Sequence, residues 1–344
     1  MTPILHRTLG KTGLRVSPLT LGAMTFGESK GFMKGVTAPD DEARRILDRA
    51  LDLGIDTIDT ANIYSEGRSE ELLGSWLKGK RDKVVLATKC RFPTVAIPGV
   101  KHGPHDQGLS RKAILKACED SLRRLATDHI DLYQVHMQDG TVPIEETLRA
   151  LDDLVRAGKV LYLGCSNFTG YRLTEALFTA DRLGVTRFAS LQAQWSLVCR
   201  DAERELVPAC RTFGLGMMVW SPLGRGFLSG KYSRGEKPPE GSRLASWHDS
   251  FRAYDNDRSW ATLEKVRAIA TAHDSTPAAV SLAWLLAEPE TATVIVGATS
   301  VKQLDANVAA LELVLTPKEL KELDDVSEPD WGYPYAFIGG REPW

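Results

Sequence analysis

The chain lacks several features that mark common classes of protein. No GxGxxG stretch occurs, although that loop usually follows the first strand of a doubly wound dinucleotide-binding sheet. Only five of the 344 residues are cysteine and no CxxC pair occurs, so neither a disulfide framework nor a zinc site is indicated. We therefore expect reduced cysteines, no bound metal and a cytoplasmic location.

Two further absences narrow the range of partners. The net charge is −2, so no broad basic surface is expected for nucleic acid. No apolar run approaches the roughly 20 residues of a membrane span. Residues 1–7 lack the apolar core of a signal peptide. Neither nucleic acid nor membrane is an expected partner, and the oligomeric state stays open.

Strands and helices alternate strictly along the chain. After a hairpin pattern around Lys11-Thr12-Gly13, eight apolar strand patterns centre near residues 19, 56, 86, 133, 162, 189, 217 and 294. A helical pattern follows each one, which favours parallel strands with right-handed crossovers. We predict a single (β/α)8 barrel domain over residues 1–344, with long loops at its carboxyl face, including a polar loop over 224–257. The alternative is an open doubly wound sheet.

Helix starts are also readable. Asp40 or Asp41 is expected to cap a helix over 42–53, and Ser110 one over 110–125.

Polar or aromatic groups fall where six of the predicted strands end. Taken alone, each of three has an ordinary structural interpretation. Lys89 fits an exposed lysine at a strand end, His136 fits a histidine of the core, and Gln192 fits a hydrogen-bond partner of buried backbone. The ends of parallel barrel strands meet in one ring, so their joint occurrence favours a functional site. The groups are Asp59, Lys89, His136, Ser166 with Asn167, Gln192, and Trp220.

These residues suggest a proton donor. Tyr64 lies five residues beyond Asp59, and a lysine such as Lys89 beside it would stabilise phenolate. We expect this to lower the tyrosine pKa from its usual value of ~10, so that the phenol exchanges protons near neutral pH. His136 is suited to hydrogen-bond a substrate oxygen.

The same ring contains no obvious attacking group, which favours hydride supplied by a nicotinamide. Trp220 offers a flat surface for that ring, and Asn167 and Gln192 can hold its carboxamide. A metal-dependent hydrolase would need several histidine and carboxylate ligands at strand ends, where only His136 and Asp59 qualify.

At this point the sequence resembles the aldo-keto reductase family from about Arg7 to about Leu323. Gly54-x-x-x-Ile58-Asp59-Thr60-Ala61-x-x-Tyr64 resembles its first signature, and Lys89 and His136 match its other catalytic positions. The resemblance implies a (β/α)8 barrel that interconverts carbonyls and alcohols with NADP(H), or less often NAD(H). It also implies that Tyr64 is the general acid/base, tuned by Lys89 and Asp59.

The resemblance extends to the cofactor segments. Gly164-x-Ser166-Asn167, Gln192 and the segment from Trp220 to Lys231 match, and the segment after the last strand corresponds in layout. The implied contacts are Ser166, Asn167, Gln192, Trp220, Ser221, Leu223, Gly226, Lys231, Gly297, Thr299, Ser300, Lys302, Gln303 and Asn307.

Two departures affect cofactor choice. The arginine that relatives often carry at Thr299 or Ser300 is absent, and Ala306 replaces an acid. Lys302, Ser300 and the amides opening helix 301–310 can still bind a 2′-phosphate. We therefore expect NADP(H) to be preferred, with NAD(H) possible.

The substrate is expected to be a small carbonyl compound or alcohol. Met24, Phe26, Phe92 and Trp195 are the candidate wall of the pocket, with Trp195 replacing the usual tyrosine of the family. A second function remains open, because some members of this family serve ion channels as nicotinamide-binding regulatory subunits.

The carboxyl-terminal tail is the last unassigned segment. Trp331, Tyr333, Tyr335 and Phe337 stand close together in it. The tail is expected either to pack on outer helices or another subunit, or to form part of the substrate wall. Both alternatives bury these aromatic side chains.

Overall fold

A computed structural model describes residues 4–31, 33–97 and 99–339. Residues 1–3, which open the segment checked for a signal peptide, lie outside the described residues. The chain begins with the predicted hairpin, β1 (Arg7–Thr8) and β2 (Arg15–Val16), paired antiparallel. Leu9 and Val16 in this hairpin are fully buried against the amino-terminal end of the strands that follow.

Eight further strands form a closed parallel barrel, in which each strand pairs with the next and the last pairs with the first. The predicted (β/α)8 fold is confirmed. The strands are β3 (Leu19–Gly22), β4 (Thr57–Asp59), β5 (Val85–Cys90), β6 (Ile130–Val135), β7 (Val160–Ser166), β8 (Phe188–Gln194), β9 (Gly216–Trp220) and β10 (Thr291–Gly297).

Helices surround the barrel, and the longer ones carry an apolar face that is buried in the core. They are α1 (Asp40–Asp52), α2 (Arg68–Trp76), α3 (Arg111–Leu125), α4 (Ile144–Arg156), α5 (Gly170–Leu183), α6 (Ala202–Phe213), α7 (Arg243–Ser246), α8 (His248–Tyr254), α9 (Asp257–Ala272), α10 (Pro277–Ala287), α11 (Val301–Val308), α12 (Pro317–Ser327) and α13 (Tyr335–Gly339).

The two predicted helix starts have different outcomes. Ser110 caps α3 as expected, since its hydroxyl accepts a hydrogen bond from the Ala113 amide. The expected cap of α1 is wrong. Pro39 holds the cap position, and Asp40 and Asp41 lie in the first turn, where their charges favour the positive end of the helix dipole.

The expected polar loop over 224–257 is also wrong. It contains a 3₁₀ turn (Gly224–Ser229) and the short helices α7 and α8. Phe227 anchors this segment, with ring centroids 4.9 Å from Trp260 and 5.8 Å from Tyr254. Isolated aromatic residues in a polar sequence show no helical period, so the pattern alone did not reveal this local core.

The described part of the tail lies on the outside of the barrel. The Tyr335 hydroxyl donates to Glu205 of α6 at 2.7 Å, and Arg204 of α6 donates to the Asp330 carbonyl at 2.9 Å. These contacts support packing against an outer helix rather than a place in the substrate wall. The expectation that all the tail aromatics are buried is wrong, because Tyr333 is 89% exposed.

The hairpin packs so closely against the amino-terminal end of the barrel that position 216 has no room for a side chain. A Cβ on Gly216 would lie 2.6 Å from the backbone nitrogen of Gly10, whereas a Cβ on Gly13 in the same hairpin would meet nothing within 4 Å. Backbone atoms cannot move aside as a flexible side chain can, so this floor depends on glycine at position 216.

We therefore expect Gly216→Ala to lower the free energy of unfolding by about 1–3 kcal/mol, the usual cost of overpacking. Gly13→Ala is the matched control and should change it by less than about 0.5 kcal/mol. Thermal unfolding of both variants measures the difference. Equal midpoints for the two would contradict this account of the hairpin.

Candidate active site

A buried lysine lies at the centre of the polar residues at the carboxyl end of the barrel. The Lys89 ammonium, on β5, is fully buried and lies 2.5 Å from an oxygen of Asp59 at the end of β4. It also donates to the Thr60 carbonyl at 2.8 Å and to the Tyr64 hydroxyl at 3.2 Å. Asp59, Tyr64 and Lys89, all predicted from the sequence, therefore come together around the positive charge of Lys89.

The second oxygen of Asp59 is held from the far side of the barrel. Gln134 of β6 and Gln192 of β8 both donate their side-chain amides to it, at 3.0 and 2.9 Å. Gln192 was predicted to hold a cofactor carboxamide, but its N–H group already serves Asp59. Gln134 was not predicted, although a polar residue inside a buried strand, two positions before His136, was the available signal.

Tyr64 is positioned by a strained turn. The two residues after it, Ser65 and Glu66, have φ angles of 48° and 56°, a left-handed conformation that non-glycine residues seldom adopt. Contacts to the loop that follows β3 hold these two residues in the strained conformation. Ser65 donates to the Gly27 carbonyl at 2.9 Å, and the Gly31 amide donates to Glu66 at 3.1 Å.

The pKa of Tyr64 does not move in the predicted direction. Burial raises it above 10, and this effect outweighs the neighbouring Lys89, which lowers it as expected. Burial also opposes the charge on Lys89, but Asp59 and Tyr64 hold the lysine pKa above 10.5. At neutral pH the site therefore combines a protonated phenol with a charged ammonium.

His136 follows β6 and faces the phenol. Its ring lies 5.8 Å from the Tyr64 ring and 5.0 Å from the Phe92 ring, edge to face in both pairs. Burial, then the charges of Lys89 and Arg91, lower its pKa well below 6.5, so the imidazole is neutral at neutral pH. A neutral imidazole can orient an oxygen but does not supply a positive charge.

The predicted cofactor residues at the next strand ends form a continuous rim. Asn167, with φ 52°, donates its side-chain amide to the His136 carbonyl at 2.8 Å and to the Ser166 hydroxyl at 3.0 Å. Trp220 ends β9, and its indole N–H is buried without a hydrogen-bond partner in the described residues. Ser221, also left-handed, accepts a bond from the Arg225 amide at 3.0 Å.

The start of α11 is less open to an anion than predicted. The Ser300 hydroxyl caps the helix by accepting from the Gln303 amide. The Val301 amide donates at 2.9 Å to Glu42 of α1, a residue that was not predicted. The Gln303 side chain accepts two bonds from Thr299. Two opening amides therefore already have oxygen partners.

Three cations gather in the 224–257 segment, although only Lys231 was predicted for the cofactor. The guanidinium groups of Arg225 and Arg243 lie 5.3 and 5.5 Å from the ring centroid of Trp247. Burial, then Arg243, lower the pKa of Lys231. None of the three meets a carboxylate in the part of the chain that the structure describes, so this basic cluster has room for an anionic ligand. Arg243 was missed because α7 was expected to be loop.

The other predicted cofactor residues surround the same rim. Lys302 is exposed, and Asn307 is buried on α11. Leu223 and Gly226 precede and form part of the 3₁₀ turn, and Gly297 ends β10.

Two of the four residues predicted to line the substrate pocket lie instead in the core of the protein. Phe26 is fully buried against Trp76, with ring centroids 6.0 Å apart. Trp195 is 1% exposed and donates its indole N–H to Glu203 at 2.7 Å. Water does not reach these side chains, so they belong to the core rather than to the wall of an open pocket. Met24 and Phe92 are half-buried, and Phe92 contacts His136.

Comparison with known proteins decides the family. The sequence model of the Aldo/keto reductase family matches residues 18–328. The chain belongs to the aldo/keto reductase family. It is 40% identical over 326 residues to the "Uncharacterized oxidoreductase YrpG" of Bacillus subtilis, covering 92% of this chain and 94% of the relative.

Two other relatives of this aldo/keto reductase carry more specific names. "Norsolorinic acid reductase" of Aspergillus flavus is 34% identical, over 97% of this chain and 84% of its own. "Probable voltage-gated potassium channel subunit beta" of Oryza sativa subsp. japonica is also 34% identical, over 93% of this chain and 96% of its own. The family therefore includes relatives named as enzymes and as channel subunits.

Other surfaces of this aldo/keto reductase offer less chemistry. A cavity of about 660 Å³ lies at the opposite, amino-terminal face, lined by residues including Arg7, Arg15 and Glu290, and it contains none of the strand-end groups. Within the described ranges, no three potential metal ligands come together, and no helix is long and apolar enough to cross a bilayer. The chemistry of Tyr64 and Lys89, rather than cavity size, locates the site.

We expect Asp59→Asn to lower the free energy of unfolding by about 3–5 kcal/mol, because it leaves the buried Lys89 charge without its partner. Asp305→Asn is the matched control: its pair with Arg49 lies at 2.8 Å with side chains 44% and 38% exposed, so it should cost less than about 1 kcal/mol. Urea unfolding of both variants measures this. Equal losses would show that the Lys89 pair is not a structural requirement.

Proposed function

We propose that this aldo/keto reductase is a nicotinamide-dependent oxidoreductase that interconverts an aldehyde or ketone and its alcohol, with Tyr64 as the general acid/base. The observation that carries the proposal is the Tyr64 hydroxyl, 3.2 Å from the buried Lys89 ammonium and beside the His136 ring. This group can give a proton to an oxygen whose negative charge develops during reduction.

Tyr64 and Lys89 divide the proton chemistry between them. The raised pKa of Tyr64 keeps the phenol protonated at neutral pH, ready to donate to a carbonyl oxygen. Once the proton has left, the adjacent ammonium stabilises the phenolate. Asp59 holds that ammonium in place and charged, because it raises the lysine pKa against burial. For alcohol oxidation the same phenolate accepts the proton.

His136 orients the substrate. Its neutral imidazole can hydrogen-bond the carbonyl oxygen without competing as a stronger acid than Tyr64. The Asn167 amide fixes the His136 backbone at 2.8 Å. The two rings therefore hold one reacting oxygen between them.

The rim fits a nicotinamide dinucleotide. Trp220 offers a stacking surface and an indole N–H that has no partner among the described residues, and the basic cluster offers cations for phosphate groups. Bound there, the cofactor would supply or accept a hydride. The protein's own part is to place Trp220, the Gln192 oxygen and Lys231 around it.

A second candidate function is a regulatory subunit that binds the cofactor without rapid turnover, favoured by the channel-subunit name of the Oryza relative. Both candidates need the same cofactor site. Steady turnover of small aldehydes by the purified protein favours the enzyme, and cofactor binding without turnover favours the subunit.

We expect Tyr64→Phe to reduce kcat by about 100-fold or more, because positioned general acids contribute about 10²–10⁴-fold. Cofactor affinity, followed by protein fluorescence, should be retained. Tyr171→Phe removes a hydroxyl from a side chain that is 70% exposed on α5, and it should leave kcat unchanged. If Tyr64→Phe keeps more than about a tenth of kcat, another group donates the proton.

We further propose that NADPH binds more tightly than NADH, supported by the basic cluster and by the exposed Lys302, which has no carboxylate partner among the described residues. Lys302→Ala should weaken NADPH by about tenfold, the effect of one charge-assisted hydrogen bond, and leave NADH nearly unchanged. Lys318→Ala, whose side chain is 86% exposed on α12, is the control.

Glu42→Gln should act in the opposite direction, because it removes a negative charge beside the Val301 amide. We expect it to tighten NADPH more than NADH. Dissociation constants from fluorescence titration measure both effects. Equal affinity of the parent protein for the two cofactors would overturn the preference.

A further inference from the structure

Arg91 occupies a strained position at the mouth of the barrel. It directly follows β5 and has a φ of 110°, a left-handed value that favours glycine. The Gly108 amide donates to its carbonyl at 2.8 Å, which helps to hold this backbone. Strain of this kind persists only where surrounding contacts impose it, and it concentrates at functional sites.

The side chain of Arg91 lies one ring away from the reacting groups. Its guanidinium carbon is 4.9 Å from the centroid of the Phe92 ring. That ring lies 5.0 Å from the His136 ring, which in turn lies 5.8 Å from Tyr64. The Phe92 carbonyl is fixed by the side-chain amide of Asn62 at 2.8 Å. The charge of Arg91 is also close enough to His136 to help lower the histidine pKa, so it lies at the same mouth as the reacting groups.

Arg91 has no carboxylate partner among the described residues. Its Nε is buried without a hydrogen-bond partner. By contrast, the half-buried Arg81, Arg124 and Arg200 each meet a carboxylate at 2.6–2.7 Å. A half-buried guanidinium without an anion is costly, so a position that keeps one is suited to an anion from outside the chain.

Asp139, whose pKa the charge of Arg91 helps to lower, already has other hydrogen-bond partners. Asp139, in the loop after β6, accepts bonds from the Leu109 amide at 3.1 Å and from the Thr141 amide and hydroxyl at 2.9 and 2.6 Å. These bonds use both of its oxygens. The charges of Asp139 and Arg91 interact, but the two groups form no ion pair among the described residues.

We propose that Arg91 binds a carboxylate on the substrate, so that the preferred carbonyl substrates are acids whose carboxylate is separated from the carbonyl by about the span of an aromatic ring. A guanidinium binds a carboxylate through two parallel hydrogen bonds, and Phe92 provides an apolar wall for the atoms between. This inference rests on the proposed carbonyl chemistry at Tyr64, and it adds the substrate class.

The test compares two aldehydes of similar shape, 4-carboxybenzaldehyde and its methyl ester. In the parent protein we expect kcat/KM to be about tenfold or more higher for the acid, mainly through KM, because Arg91 contacts the charge and not the reacting atoms. Arg91→Gln should remove most of this acid-to-ester ratio, and Arg91→Lys should retain part of it. Each variant serves as its own control, since the ratio cancels losses of folded protein.

Arg111→Gln is the charge-matched control. Arg111 lies on the outside, paired with Asp153 of α4 and with its side chain 52% exposed, so the ratio should not change. A parent protein that reduces both aldehydes without favouring the acid, or an Arg91→Gln variant that keeps the ratio, overturns the proposal.

Binding of 4-(hydroxymethyl)benzoate and its methyl ester, measured by calorimetry, needs no turnover. Selective loss of benzoate binding in Arg91→Gln supports the proposal even if neither aldehyde is reduced. Absence of reduction would overturn only the proposed function. Equal binding of benzoate and ester by the parent protein overturns the inference about Arg91 itself.

Discussion

The buried charge of Lys89 is the constraint on which the site depends. An ammonium without access to water is tolerated only with close partners, and here these are Asp59 at 2.5 Å, a backbone carbonyl and the Tyr64 hydroxyl. Asp59 in turn needs Gln134 and Gln192 from two other strands. Four strands must therefore be in correct register before the lysine is satisfied. The same strand register that closes the barrel also assembles the reacting groups. It places Lys89 where its ammonium donates to the Tyr64 hydroxyl.

Charge is distributed differently at the mouth and on the body of the barrel. Most cations on the outer helices have carboxylate partners, as Arg49 does with Asp305 and Arg111 with Asp153. Around the mouth, Arg91 and Lys231 have none among the described residues. Under the proposed function and the proposed carboxylate site, the cluster around Lys231 would bind dinucleotide phosphates and Arg91 a substrate carboxylate. Both ligands would bring negative charge to cations that have no carboxylate partner among the described residues.

The sequence predicted the barrel and the positions of Asp59, Lys89 and His136 at strand ends, because strict alternation fixes the topology and strand ends converge by geometry. It failed where tertiary packing decides. Trp195 was predicted to line the pocket, but its ring is buried and its indole N–H donates a hydrogen bond to Glu203. The Tyr64 pKa was predicted to fall because Lys89 is visible in the sequence, whereas the burial that raises it is not. Arg243 was missed because the aromatic contacts that order its segment join residues far apart in the chain.

The most direct test of the account follows the hydrogen itself. The purified protein would be incubated in ordinary water with an aryl aldehyde and a reduced nicotinamide cofactor that carries deuterium at both positions of the reactive ring carbon. Mass spectrometry and NMR would then locate deuterium in the alcohol. We expect one deuterium on the former carbonyl carbon of the alcohol, as hydride transfer from the cofactor requires. Alcohol without deuterium, or a bound cofactor that never delivers it, would contradict the account.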